Sequence, residues 1–256
     1  MIQFYIVPDS KHLEDVQKFA YEEGLRFEYN DFIFPDFMDD EEAVMRRISE
    51  YRQMNRDLSG DTMHGAFFDV TVFSFDAKVR EISRYRMRQS MEVARALGLR
   101  GVVFHGNHCP FLHGVSYDNN WLKHTEEVMR ELTGAYPEID IYMENMFDDT
   151  PEMLEKLAER LGDVKNFGIC LDYSHAQLAS KDGELWFRAL AKSIRHIHVN
   201  DHYFAGDVHL VPGEGQIDWD AFFRLKETYA PDATVLCEVT GLEKAKKGIA
   251  FLKSRM

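Results

Sequence analysis

The sequence predicts a closed (β/α)8 barrel, a TIM barrel of α/β class in a single domain over residues 1–256, and three observations predict it. Short β-branched or aromatic runs alternate with amphipathic helical stretches eight times along the chain, the pattern of repeated βα units on a parallel sheet. The length of 256 residues is close to the roughly 250 typical of such barrels. The residues after the first strand, VPDSKH, lack the glycine-rich dinucleotide turn of an open doubly wound sheet. The late pair Gly213 and Gly215 is followed by no Walker lysine.

Taken in order, strands are expected over Ile2–Val7, Phe27–Phe32, Thr62–Phe67, Gly101–Phe104, Ile139–Met143, Phe167–Leu171, Ile194–Val199 and Ala233–Val239. Helices are expected between them over Leu13–Glu23, Glu41–Met54, Lys78–Leu97, Trp121–Tyr136, Pro151–Leu161, Leu185–Ala191, Asp220–Tyr229 and Leu242–Ser254. Each has apolar residues at three- and four-residue spacing. Thr150 before Pro151 also reads as an N-cap followed by a first-turn proline. No linker, repeat or low-complexity stretch divides the chain.

Composition narrows the function classes. With 45% hydrophobic residues the chain can bury a large core, which excludes disorder. Thirty basic against 44 acidic side chains leave a net charge of −14, which repels polyphosphate over most of the surface. Three widely spaced cysteines, Cys109, Cys170 and Cys237, build neither a disulfide framework nor a zinc knuckle, so a reducing compartment is expected. With no secretory leader and no apolar run of membrane-spanning length, a cytoplasmic protein without membrane contact is expected.

Barrel active sites are built where strands end, and reactive side chains recur at those places. His64 ends the third strand, His105 the fourth and Glu144 the fifth; Asp172 with His175 ends the sixth. His198 lies on the seventh, Asp207 and His209 follow in the next loop, and Glu238 ends the eighth. Five imidazoles and four carboxylates converging on one rim form a mixed N/O donor set for one to three divalent ions, Zn²⁺, Mn²⁺, Mg²⁺ or Co²⁺. Four carboxylates in one mouth would otherwise have to take up protons.

The remaining histidines divide by position. His12, His113 and His124 read as ordinary surface or structural residues, and His196, one layer below His198, as a core partner. His108 and His202 lie on rim loops and are expected to touch substrate. Aromatic residues near the rim, among them Phe67, Phe68 and Trp121, are candidates to stack on it.

The blocks HGAFFD, VVFHG, ENM, CLDYSHA, HIHVND and DVHLVPGEGQIDW, in this order and spacing, resemble the xylose-isomerase-like barrel superfamily, which holds sugar-phosphate isomerases and epimerases and also endonuclease IV. The resemblance to its ketose epimerases implies one metal held by Glu144, Asp172, His198 and Glu238. It also implies that Glu144 and Glu238 serve as the acid/base pair and that His175 contacts the sugar. The resemblance to endonuclease IV implies an extension to three zincs through His64, His105, His175, Asp207 and His209.

All nine positions are filled, so ligands alone do not choose between the two activities. The loop after the second strand, NDFIFPDFMDDEE, carries six acids and no base, which opposes a DNA backbone at the rim. The loops NDHYFAGDVHLVPGEG and VTGLE offer no Lys or Arg to clamp a phosphate, which favours a neutral sugar or polyol. The expected activity is a metal-dependent sugar isomerase or epimerase, working by proton transfer through a metal-stabilised enediolate. A hydride shift on the same metal is the other route to isomerisation. An endonuclease IV-like, zinc-dependent phosphodiester hydrolase at abasic DNA sites is the alternative, with dehydration or ring hydrolysis behind it. Expected partners are a small-molecule sugar and, for assembly as a homo-oligomer, further copies of the chain; neither nucleic acid nor membrane is expected.

Overall fold

A computed structural model describes residues 2–67, 69–112 and 114–255, so Phe68 and His113 lie outside the described residues. Eight parallel strands close into a barrel in the order β1 to β8, with β8 pairing back onto β1. The strands are β1 (Phe4–Ile6), β2 (Arg26–Tyr29), β3 (Thr62–His64), β4 (Gly101–His105), β5 (Asp140–Glu144), β6 (Phe167–Asp172), β7 (Ile194–Val199) and β8 (Thr234–Cys237). The helices are α1 (Leu13–Glu23), α2 (Pro35–Met38), α3 (Glu41–Gln53), α4 (Ala77–Leu97), α5 (Val115–Ala135), α6 (Glu152–Arg160), α7 (Tyr173–Ser180), α8 (Gly183–Leu190), α9 (Trp219–Tyr229) and α10 (Leu242–Lys253).

Strand alternation sorts the interior into two regions. Outward-facing residues such as Phe27, Met63, Phe104, Ile169, Ile197 and Val235 join the large cluster beneath the helices. Inside the barrel the only separate apolar cluster among the described residues is Val103, Tyr142 and Cys170. Apart from Tyr5 and Leu236, much of the rest of the interior is polar, with Glu28, Thr62, His64, Glu144, Asp172, His196 and His198 all buried. A barrel centre filled this way departs from the branched aliphatic layers usual for the fold, and it forms the floor of the site.

Four departures from the periodic expectation have local causes. β2 stops at Tyr29 rather than Phe32, because the chain leaves the sheet into the short helix α2 while Phe32 turns back into the core. β3 likewise stops at His64 rather than Phe67. α5 starts at Val115, ahead of the expected Trp121, its first turns hidden in the polar run SYDNN. α7 has no counterpart among the expected helices: residues 173–177 are buried in succession, so no amphipathic stripe betrays it. It starts directly after β6, with the Asp172 carboxylate capping it by accepting the His175 N–H at 2.6 Å.

The long connection between β7 and α9 is organised by one buried carboxylate. Asp201 accepts from the N–H groups of His202 (2.9 Å), Gly213 (2.8 Å) and Ile217 (3.2 Å) and from the Trp219 indole (3.0 Å). A Cβ on Gly215 would lie 2.2 Å from Asp201 Oδ1, which explains the glycine there. Asp201→Ala would strand several buried donors and is expected to cost at least about 3 kcal/mol. At 2–4 °C per kcal/mol for a chain of this size, differential scanning calorimetry would show melting roughly 6–12 °C lower. An unchanged melting temperature would remove this role.

Candidate metal centre

The rim holds the donors in overlapping groups. Glu144, Asp172, His198 and Glu238 each offer a ligand atom within 4.8 Å of the others, and so, as separate sets, do His64, His105 and Glu144, and His175, Asp207 and His209. All nine side chains singled out from the sequence are therefore brought together, with Glu144 shared between two sets. His198 Nδ1 lies 3.2 Å from Glu144 Oε1 and 3.5 Å from Glu238 Oε2. His64 Nε2 lies 3.3 Å from Glu144 Oε2 and 3.2 Å from His105 Nε2. Asp207 Oδ2 sits between His175 Nε2 at 3.2 Å and His209 Nε2 at 3.1 Å.

Backbone carbonyls aim three of these imidazoles. Nδ1 of His64 faces Gly65 O, Nδ1 of His175 faces Asn145 O and Nδ1 of His209 faces Glu238 O, each at 3.0 Å, which turns Nε2 toward the carboxylates. His209 holds a left-handed φ of 46°, one of several strained non-glycine residues on the rim. Asn145, which the sequence pattern does not single out, fastens β5 to β6: its amide donates to Asp172 O and accepts the Asp172 N–H, both at 2.9 Å.

The donor set fits a cation. Glu144 Oε2, Asp172 Oδ2, His198 Nδ1 and Glu238 Oε2 are buried without a hydrogen bond, the state that coordination would relieve. Protonation follows the same logic. Burial is the largest influence on Asp172 and, with the charges of Glu144 and Glu238, pushes its carboxyl up to about 7. Burial also acts to raise Glu144, but the imidazoles of His198 and His105 outweigh it and hold the group well below the usual carboxylate range. For His209, burial opposes the charge but Asp207 and Glu238 carry the imidazole up to about 10.

Other candidates sit differently. Phe67 is half-buried with its ring centroid 4.6 Å from that of His105 and 5.2 Å from that of His64, so it borders the donors. Trp121, a candidate to meet substrate, is instead fully buried, and its indole N–H donates to Gly106 O at 2.8 Å. His202 is likewise fully buried, with Nε2 2.9 Å from Ser174 O and the Phe204 N–H donating to Nδ1. His108 is buried and bound to Asp118 at 3.0 Å, packed against Tyr117 and Trp121. These three support rim loops from inside and offer a substrate little or no surface.

Two carboxylates escape a reading of the sequence. Glu28 lies fully buried below His198, and its only signal is a charge between Phe27 and Tyr29 in a strand. Asp148 is buried in the loop after β5 with Oδ1 unpartnered; burial pushes it up to about 7. In the sequence it looks like half of an ordinary solvated Asp148-Asp149 pair.

Outside the mouth, several acids are paired with bases. Asp31 pairs with Arg47 at 2.7 Å, Asp39 with Arg86, and Arg84 and Arg88 both with Glu131. Asp40 caps α3, and Glu41 and Glu42 occupy its first turn, so most of the acidic loop after β2 also serves local structure. Among the described residues, no helix is long and apolar enough to cross a membrane.

Comparison with known proteins agrees with this architecture. Residues 21–255 match the family model for the xylose isomerase-like TIM barrel. A probable endonuclease 4 of Mycobacterium ulcerans (strain Agy99) is 28% identical over 200 residues, covering 73% of this chain and 75% of that protein. The crystal structure of a D-tagatose 3-epimerase-like protein superposes with a TM-score of 0.78 at 21% identity, covering 99% of this chain and 97% of that one. A Thermus thermophilus protein, TTHB071, soaked with zinc chloride, superposes with a TM-score of 0.77 at 21% identity, covering 100% of this chain and 98% of that one.

Proposed function

Since the chain belongs to the xylose isomerase-like TIM barrel family, we propose that it is a metal-dependent isomerase or epimerase of a neutral ketose, aldose or polyol-like sugar. The observation that carries this reading is the placement of Glu144 and Glu238 about one nitrogen, His198 Nδ1, at 3.2 and 3.5 Å. Two carboxylates facing one point are what removal and return of a proton at carbon require. A divalent ion held by Glu144, Asp172, His198 and Glu238 supplies Lewis-acid polarisation of adjacent substrate oxygens. Glu144, kept ionised by its imidazoles, takes the proton next to the carbonyl; Glu238, more open at the mouth, takes up a proton from solvent and delivers it to carbon on the other face, and Glu144 gives its own proton to solvent to reset the pair. His175 orients a hydroxyl, and the Phe67 ring gives the sugar an apolar wall. Residues 200–218 contain no Lys or Arg, which suits an unphosphorylated substrate.

A second reading, zinc-dependent hydrolysis of the phosphodiester at abasic DNA sites, is favoured by the two outer donor sets and by the likeness to a probable endonuclease 4. The acidic, internally paired rim opposes it. A ketose and aldose panel in ²H₂O with Mn²⁺, Mg²⁺, Co²⁺ or Zn²⁺, run beside an abasic-site duplex, decides between them. The expected result is sugar conversion with deuterium incorporated at the reacting carbon and no strand cleavage. Conversion without deuterium would replace proton transfer by a hydride shift, and cleavage without sugar conversion would overturn the sugar reading.

A further inference from the structure

Beneath the four-donor group lies a second polar storey that the proposed chemistry does not use. Glu28 points into the barrel from β2 and is fully buried. Its Oε1 lies 3.0 Å from His198 Nε2, and its Oε2 lies 3.2 Å from His196 Nε2 and accepts from Thr62 Oγ1 at 2.8 Å. His196 is fixed in turn: Nδ1 is 2.5 Å from Thr234 Oγ1, and its ring stacks on Tyr142 at 24° and meets the Tyr5 ring at an edge. The Thr62 hydroxyl from β3 hydrogen-bonds the carboxylate, while His198 Nε2 and His196 Nε2 approach it at ion-pair distance without hydrogen-bond alignment.

His198 is also oriented unlike its neighbours. His64, His175 and His209 each turn Nδ1 to a backbone carbonyl and leave Nε2 for the site. In His198 the roles reverse: Nδ1 faces Glu144 and Glu238, and Nε2 rests on a carboxylate. A buried carboxylate is costly unless it is paired, and an apolar side chain of similar size in its place would pack at less cost. The charge is therefore spent on His198.

We propose that Glu28 is the positioning residue of His198: it holds the Nε2–H, fixes the tautomer in which Nδ1 is the ligand nitrogen, and strengthens that nitrogen as a donor, while His196 and Thr62 hold Glu28. The proposal rests on the metal reading of the four-donor group. A carboxylate behind a ligating imidazole commonly changes metal affinity by about 10–100-fold.

Glu28→Gln keeps the size of the side chain and removes its charge. Zn²⁺ affinity is measured by competition with a chromophoric chelator and the ligand field by the visible spectrum of the Co²⁺ form. The expected result is a dissociation constant about 10–100-fold weaker and a shifted Co²⁺ spectrum, with the circular dichroism of the chelated protein unchanged. A merely structural role would lower the melting temperature and leave the Co²⁺ spectrum where it is. The second readout needs no variant: ¹⁵N-histidine NMR of the Zn²⁺-loaded parent is expected to show His198 with metal on Nδ1 and a proton on Nε2. Parent-like affinity and spectrum in Glu28→Gln, or metal on Nε2 in the parent, would overturn the proposal. A parent that binds neither Zn²⁺ nor Co²⁺ would instead overturn the metal reading on which it stands.

Discussion

Glu144→Gln lowers turnover by about 10²–10⁴-fold, the usual contribution of a positioned acid or base, and leaves the fold intact. No other side chain in the site touches as many donors: Glu144 lies within ion-pair distance of His64, His105, His175 and His198. The amide keeps one acceptor oxygen for these imidazoles but accepts no proton from carbon and gives a cation a weaker ligand. The surrounding imidazoles hold the Glu144 carboxylate ionised well below the usual range, so its charge stabilises the folded chain, and the metal-free variant is expected to melt lower than the metal-free parent. Turnover, bound metal per chain and melting temperature, measured together, separate these effects. If the variant turns over at the parental rate, Glu144 leaves the mechanism.

Stripping the protein with a chelator abolishes activity and lowers the melting temperature by roughly 5–11 °C. The size follows from linkage. An ion that binds only the folded chain and is present at a hundred times its dissociation constant contributes about 2.7 kcal/mol, and each kcal/mol is worth about 2–4 °C at this length. The sign with pH follows from the donors. Protons on Asp172, raised to about 7, and on His209, raised to about 10, compete with the ion, so binding releases protons and affinity rises with pH. The protein therefore releases the ion more readily on the acid side. Activity and melting temperature, followed before stripping, after it and after readdition of Zn²⁺ or Mn²⁺, provide the check. A stripped protein with full activity and an unshifted melting curve would end the metal reading.

The barrel is legible in the sequence because its signal is redundant: eight alternations survive errors in any one. Boundaries fail where local patterning is silent, as in α7, whose first five residues are all buried, or the polar first turns of α5. Most rim donors are legible because they end a strand or follow it directly, and closure then compels convergence; Asp207 and His209 are legible only as part of the loop after β7. Glu28 is not, because an inward carboxylate in the middle of a strand is indistinguishable by spacing from a solvent-facing one. Only its neighbour β3 and, across the barrel interior, β7 reveal which way it points and what it meets. His108, His202 and Trp121 mislead in the opposite sense, since membership of a rim loop says nothing about whether a side chain looks out of it or holds it from beneath.

The direct junction between β6 and α7 constrains how this molecule can evolve. With no connector between Asp172, the last residue of β6, and Tyr173, the first of α7, a single-residue insertion there would rotate the His175 imidazole about 100° around the helix axis and uncouple it from its carboxylate. Drift in length is therefore barred at that corner.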